Sequence, residues 1–121
     1  MMLSVPAVRQ GSPATAGQLL DLLWTTLSDL LGSAATATLL RRSKKALPAD
    51  RELAGLQINR SGLEYTYVIP PEWRVESEES LAALRELVNV LSPILRELTG
   101  SAVIRYLDNH PEFRANGILF S

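Results

Sequence analysis

The stretch that decides the fold is LQINRSGLEYTYVI, residues 56–69. Apolar and polar residues alternate on both sides of Ser61 and Gly62, and a period of two is typical of a strand with one buried face. Serine and glycine are turn residues, so the pattern predicts a β-hairpin with these two as its loop. In that register Ile58 lies opposite Tyr65, and the apolar side chains of both strands meet on one face.

The residues before the hairpin have the helical period. Apolar residues recur every three or four positions in residues 19–31, and Thr15 followed by Gln18 has the spacing of a capping box. Gly32 is expected to end this helix, and Ser33 to cap a second one. The alternative is one long helix that tolerates the glycine at a cost of ~1 kcal/mol.

The residues after the hairpin are also helical in pattern. A long amphipathic helix is expected to begin near Ser77 and to contain Pro93. Because proline cannot donate a backbone hydrogen bond, this helix must either kink there or restart with Ser92 as a cap. Gly100 closes the element, and a short C-terminal helix is predicted to follow with Ser101 as its cap.

Together these patterns predict an α+β fold that is mostly helical. It consists of two N-terminal helices, one central antiparallel β-hairpin, a Pro-kinked helix and a short C-terminal helix. Residues 1–12 contain proline, glycine and serine and are expected to form a flexible N-terminal arm, while residues 13–121 form a single domain.

Composition excludes several kinds of site. The chain has 121 residues and a formal net charge of −1, so no global field attracts nucleic acid or an anionic membrane. It has no cysteine and one histidine, which excludes disulfides, thiolate chemistry and a two-histidine metal site. Apolar runs such as residues 19–31 are interrupted by polar and acidic residues well short of the ~20 residues needed to cross a bilayer. The lack of cysteine suits a cytoplasmic protein.

The densest group of charges is a basic cluster formed by Arg41, Arg42, Lys44 and Lys45. Such a cluster can contact phosphates, but it also lies in the last turns of a predicted helix, where positive side chains stabilise the carbonyl end. A recognition helix would place polar or basic residues at its N-terminal end, and this helix has alanines there. Nucleic acid is therefore an unlikely partner.

Two further groups are candidate binding surfaces. Tyr65, Tyr67 and Trp73 form an aromatic group that either packs in the core or contacts a partner, and Trp73 is expected in an extended segment after two prolines.

A candidate apolar pocket lies between the alanine-rich second helix and the Pro93 region. Its predicted lining is Leu39, Leu40, Leu91 and Ile94. A cavity there would make the chain a small-molecule sensor.

The sequence contains no catalytic constellation and no phosphate-binding loop. An enzyme would require Asp108, His110 or Tyr106 to line a cleft. We expect the protein to be a small binding or regulatory module that acts through self-association or a protein partner. It is expected to be a homodimer and to need no cofactor. The alternatives are the small-molecule sensor and nucleic-acid binding through residues 41–45.

Overall fold

The computed structural model describes residues 14–47 and 55–121, and within these ranges the chain forms five α-helices and one two-stranded antiparallel sheet. This confirms the predicted α+β, mostly helical fold; the predicted arm at residues 1–12 lies outside the described residues. In chain order the elements are α1 (Ala16–Leu31), α2 (Ser33–Lys45), β1 (Gln57–Ser61), β2 (Glu64–Val68), a 3₁₀ turn (Pro71–Arg74), α3 (Glu78–Thr99), α4 (Ser101–Asp108) and α5 (Pro111–Ala115).

Local signals set the boundaries of α1. The Thr15 hydroxyl accepts a hydrogen bond from the Gln18 amide at 3.1 Å, and the Gln18 side chain accepts one from the Thr15 amide at 2.9 Å, so the capping box is confirmed. Gly32 ends the helix with φ 90° and ψ 156°, a conformation open to glycine alone. The expected cap at Ser33 is wrong, because α2 starts at once and Gly32 itself occupies the cap position.

The long helix α3 begins as predicted and passes through its proline without a break. The Ser77 hydroxyl accepts a hydrogen bond from the amide three residues later at 3.2 Å. Pro93 lies inside the continuous helix, so a restart capped by Ser92 is wrong. The Ser92 hydroxyl instead donates to the Val88 carbonyl at 2.7 Å.

The hairpin forms where it was predicted, but its register differs. Ile58 pairs with Tyr67 rather than with Tyr65, and Ser61 pairs with Glu64. The predicted two-residue loop is therefore wrong by one position, and each strand pairing is displaced by two residues. An even displacement leaves the same side chains on each face, so the hydrophobic pattern is satisfied by both registers.

Turn geometry explains the choice of register. The loop consists of Gly62 and Leu63, and Gly62 has φ 62°. Types I′ and II′, the turns that match the twist of a hairpin, require a positive φ at the first central position. Glycine meets that requirement without steric cost, whereas the predicted loop would place Ser61 there.

The core fills the space between the four longer helical segments, the 3₁₀ turn and the C-terminal residues. Trp73 lies in this 3₁₀ turn rather than in an extended segment, because its amide donates to the Pro70 carbonyl at 2.9 Å and closes a turn. Near the chain ends, the Ala14 amide donates to the Asn116 side chain at 3.1 Å. The largest fully buried side chains include Trp73, Phe113, Phe120, Leu19, Leu20, Leu23, Leu27, Leu39, Leu40, Leu56 and Leu84.

Candidate functional site

The inner face of the hairpin is fixed to α1 by one polar contact and one aromatic contact. The Tyr67 hydroxyl donates to one carboxylate oxygen of Asp21 at 2.5 Å, and Arg74 donates to the other at 3.1 Å. The Trp24 ring packs against the Tyr67 ring at 4.6 Å between centroids. Burial raises the pKa of Tyr67 above its ordinary value, and the Asp21 hydrogen bond and charge raise it further against a smaller opposing effect of Arg74. We call these four residues the Tyr67 cluster.

The outer edge of β1 is covered by two cations of α2. Arg41 donates to the Ile58 carbonyl at 3.2 Å, and Lys44 donates to the Leu56 carbonyl. The two carbonyls belong to residues two positions apart, so both point to the same edge of the strand. A strand edge normally presents unpaired backbone groups, and here two side chains bind two of its carbonyls.

The predicted basic cluster is thereby divided. Arg41 and Lys44 bind carbonyls of the hairpin, and of the four cations only Lys44 is partly buried. Two of the four cations therefore already have carbonyl partners. This distribution gives no support to a nucleic-acid interface.

The predicted aromatic group is divided as well. Tyr65 is half-buried on the inner face of the hairpin, where the Arg60 guanidinium lies 5.7 Å from its ring centre. Tyr67 belongs to the Tyr67 cluster on the same face. Trp73 is 0% exposed, and its indole nitrogen has no hydrogen-bond partner in the part of the chain that the structure describes. The indole is therefore part of the core and not of an exposed surface.

The second strand has an edge that no other strand covers. In an antiparallel ladder, opposite residues whose backbone groups point away from the partner strand alternate with residues that exchange hydrogen bonds. The Ile58 carbonyl points outward to Arg41, so the opposite residue, Tyr67, directs its N–H and C=O away from β1, and Tyr65 does the same. Among residues 14–47 and 55–121, no group hydrogen-bonds to these outward backbone atoms. We call this row the β2 edge.

Apolar side chains accompany the β2 edge. Val68 is 49% exposed on the outer face, and Leu63 in the loop is 91% exposed. The sequence identified the hairpin but not this edge, because the difference between its two edges comes from side chains of α2. The only sequence signal was the presence of cations on the helix that precedes the hairpin.

The residues of the predicted apolar pocket lie in the core. Leu39, Leu40 and Leu91 are at most 1% exposed, and Ile94 is partly buried against them. Three of the four belong to the same core cluster and Ile94 packs against that cluster, so these positions are packed side chains.

A groove lies instead between α3 and the C-terminal residues. It has a volume of about 500 Å³ and an open mouth, and it is lined by Asn89, Ser92, Pro93, Arg96, Glu97, Leu119, Phe120 and Ser121. Asp108 holds the C-terminal side of this groove by accepting the amide hydrogens of Phe120 at 2.6 Å and Ser121 at 3.1 Å. Sequence reasoning did not find the groove, because its lining joins residues about 30 positions apart.

The candidate catalytic residues do not converge on a cleft. The Asp108 carboxylate is used by backbone amides, and the His110 imidazole lies 3.0 Å from Glu112. A backbone hydrogen bond, then the His110 contact, lower the pKa of Glu112. Tyr106 is 54% exposed and meets His110 only edge to face. In the described ranges no cluster of three or more histidine or acidic residues could hold a metal ion.

Comparison with known proteins assigns no family, because no family model, curated protein or solved structure matches the chain. Among the helices that the structure describes, none has the length and apolar character needed to cross a membrane. Any functional interpretation therefore depends on the geometry of the hairpin and the groove.

Proposed function

We propose that this protein is a small binding or regulatory module without catalysis, which acts through self-association or a protein partner and uses β2 as its binding element. The observation that carries the proposal is that the two edges of the hairpin differ in their hydrogen-bond partners. Side chains of α2 bind two carbonyls of the β1 edge, whereas no residue in the described ranges hydrogen-bonds to the outward donors and acceptors of β2. An extended segment that adds to such an edge gains main-chain hydrogen bonds.

The attachment of the hairpin supports this role. A two-stranded hairpin is marginally stable alone in water, so an isolated one would lose much of its binding free energy to ordering. Here the Tyr67 cluster holds one face, and Arg41 and Lys44 hold the far edge. The strand is thus ordered before any partner arrives, and the exposed Val68 adds apolar area beside the backbone contacts.

Amide hydrogen exchange tests whether the β2 edge is open. In dilute protein, we expect the amides of Tyr65 and Tyr67 to exchange rapidly and those of Thr66 and Val68, which point into the ladder, to exchange slowly. This alternation along one strand distinguishes an open edge from a frayed hairpin, in which all four would exchange rapidly. Slow exchange at Tyr65 and Tyr67 in the monomer would show that the chain covers the edge itself, and the proposal would then be wrong.

A cytoplasmic location is part of the same proposal, supported by the absence of cysteine from the chain. Fractionation of cells that produce the protein would test it.

The groove beside Pro93 favours a second candidate function, that of a small-molecule sensor. Its walls combine the apolar side chain of Leu119 with the charged groups of Arg96 and Glu97. In a ligand screen followed by NMR, one class of ligand should shift the signals of Leu119 and Ser92. The Arg96→Ala substitution should reduce those shifts. Ligands that shift signals uniformly over the surface would argue against a site in the groove.

A further inference from the structure

We infer that the occupant of the β2 edge is the same edge of a second copy of this chain, paired antiparallel about a twofold axis at Thr66. This inference rests on the proposed function and adds the identity of the partner. The result would be a four-stranded sheet with the two β2 strands at its centre and a β1 strand, covered by Arg41 and Lys44, at each end.

Hydrogen-bond geometry selects the axis. The outward backbone groups of β2 belong to Tyr65 and Tyr67, so an antiparallel neighbour must place its own outward groups opposite them. With the axis at Thr66, Tyr65 of each copy faces Tyr67 of the other, and each such pair exchanges two N–H···O bonds. This axis is also the only one that pairs every residue of Glu64–Val68, because the strand is centred on residue 66.

Charge and side-chain character agree with this register. Glu64, the only charged residue in β2, lies opposite Val68 of the other copy, so the two carboxylates are far apart. Thr66 faces Thr66, a pair that is well tolerated across strands. Val68, which is 49% exposed, gains the neighbouring strand of the other copy beside it, and its exposed area on the outer face decreases. An exposed edge with a single charge has little protection against pairing with its own kind.

Single-cysteine variants test the register, because the chain has no native cysteine. Thr66→Cys places the two thiols opposite each other at a Cα separation of about 4.5 Å, within the range that a disulfide spans. Val68→Cys is the matched control on the same outer face, since its two copies lie four strand positions apart, or about 14 Å. Mild oxidation should therefore cross-link Thr66→Cys rapidly and Val68→Cys slowly.

Backbone donation is tested by a second pair of variants. Tyr65→Pro removes an outward N–H that the hairpin itself does not use, and Tyr65→Ala removes the same ring but keeps the N–H. Light scattering from low micromolar to near-millimolar concentration should show a reversible dimer for Tyr65→Ala and a monomer for Tyr65→Pro, with both variants folded by circular dichroism.

The outcomes separate the inference from the proposed function. Preferential cross-linking at position 66 together with loss of the dimer in Tyr65→Pro supports the inference. A chain that stays monomeric and does not cross-link at position 66, while the amides of Tyr65 and Tyr67 exchange rapidly, overturns the second copy as partner but leaves the open edge. Cross-linking that is faster at position 68 overturns the register. Slow exchange of those amides in the monomer overturns both.

Discussion

Replacing Tyr67 by phenylalanine removes one hydroxyl from the Tyr67 cluster and leaves the ring contact with Trp24. The lost hydrogen bond joins a neutral donor to a carboxylate at 2.5 Å, and bonds to charged groups contribute ~1.5–3 kcal/mol when buried. Because the Asp21 side chain is 42% exposed and keeps Arg74 as a partner, solvent screening reduces this contribution. We expect a loss of about 1 kcal/mol, which lowers the melting temperature by about 3–6 °C for a chain of this size.

The pH dependence of stability gives a sharper form of the same prediction. The pKa of Tyr67 is raised in the folded chain, so the hydroxyl keeps its proton after the unfolded chain, with a tyrosine pKa of about 10, has lost it. The stabilising contribution of Tyr67 is therefore complete below pH ~10 and decreases as pH rises above that value. We expect the stability of the wild-type chain to fall more steeply than that of Tyr67→Phe above this pH.

Urea unfolding at a series of pH values measures both effects. Tyr106→Phe is the matched control, because Tyr106 is 54% exposed and makes no hydrogen bond through its hydroxyl in the described residues. A double-mutant cycle with Asp21→Asn isolates the pairwise contribution. If Tyr67→Phe is as stable as Tyr106→Phe at neutral pH, and both lose stability equally at high pH, the hydrogen bond to Asp21 does not hold the hairpin.

Three further substitutions test the packing, each by urea unfolding. Gly17→Ala should destabilise the chain by ~1–3 kcal/mol although alanine favours helices, because its Cβ would lie 2.9 Å from the Trp73 carbonyl oxygen; a stabilised variant would contradict this contact. Asp108→Ala should cost about 1–2 kcal/mol by freeing the Phe120 amide, and rapid exchange of that amide should accompany the loss. Leu87→Ala, at a fully buried position, should cost ~2–5 kcal/mol, and a value near zero would place Leu87 outside the core.

The features that could be predicted from the sequence are those decided by neighbouring residues. The capping box of Thr15 and Gln18 and the glycine break at Gly32 depend on side chains within three positions of the backbone that they affect. The existence of the hairpin followed from the alternation of its side chains. Its register did not, because two registers displaced by an even number of residues bury the same face, and only the positive φ of Gly62 separates them.

The features that could not be predicted depend on contacts between distant residues. Arg41 donates to a carbonyl 17 positions along the chain, so a cluster interpreted from the sequence as a charged helix end also contributes two contacts to the β1 edge. Trp73 follows two prolines, which suggested an extended segment, yet it lies in a 3₁₀ turn that directs it into the core beneath α1. Neither contact is visible in local sequence.

If the chain pairs through the β2 edge as proposed, the contacts of Arg41 and Lys44 with β1 also limit the size of the assembly. A hairpin with one free edge can add one strand and then has none left, so growth stops at a closed pair. Replacing both Arg41 and Lys44 by alanine would remove the side-chain partners of the Ile58 and Leu56 carbonyls and uncover that part of the opposite edge. A double variant of this kind is expected to pair from both sides and to form an open linear polymer of hairpins joined edge to edge instead of a particle of fixed stoichiometry.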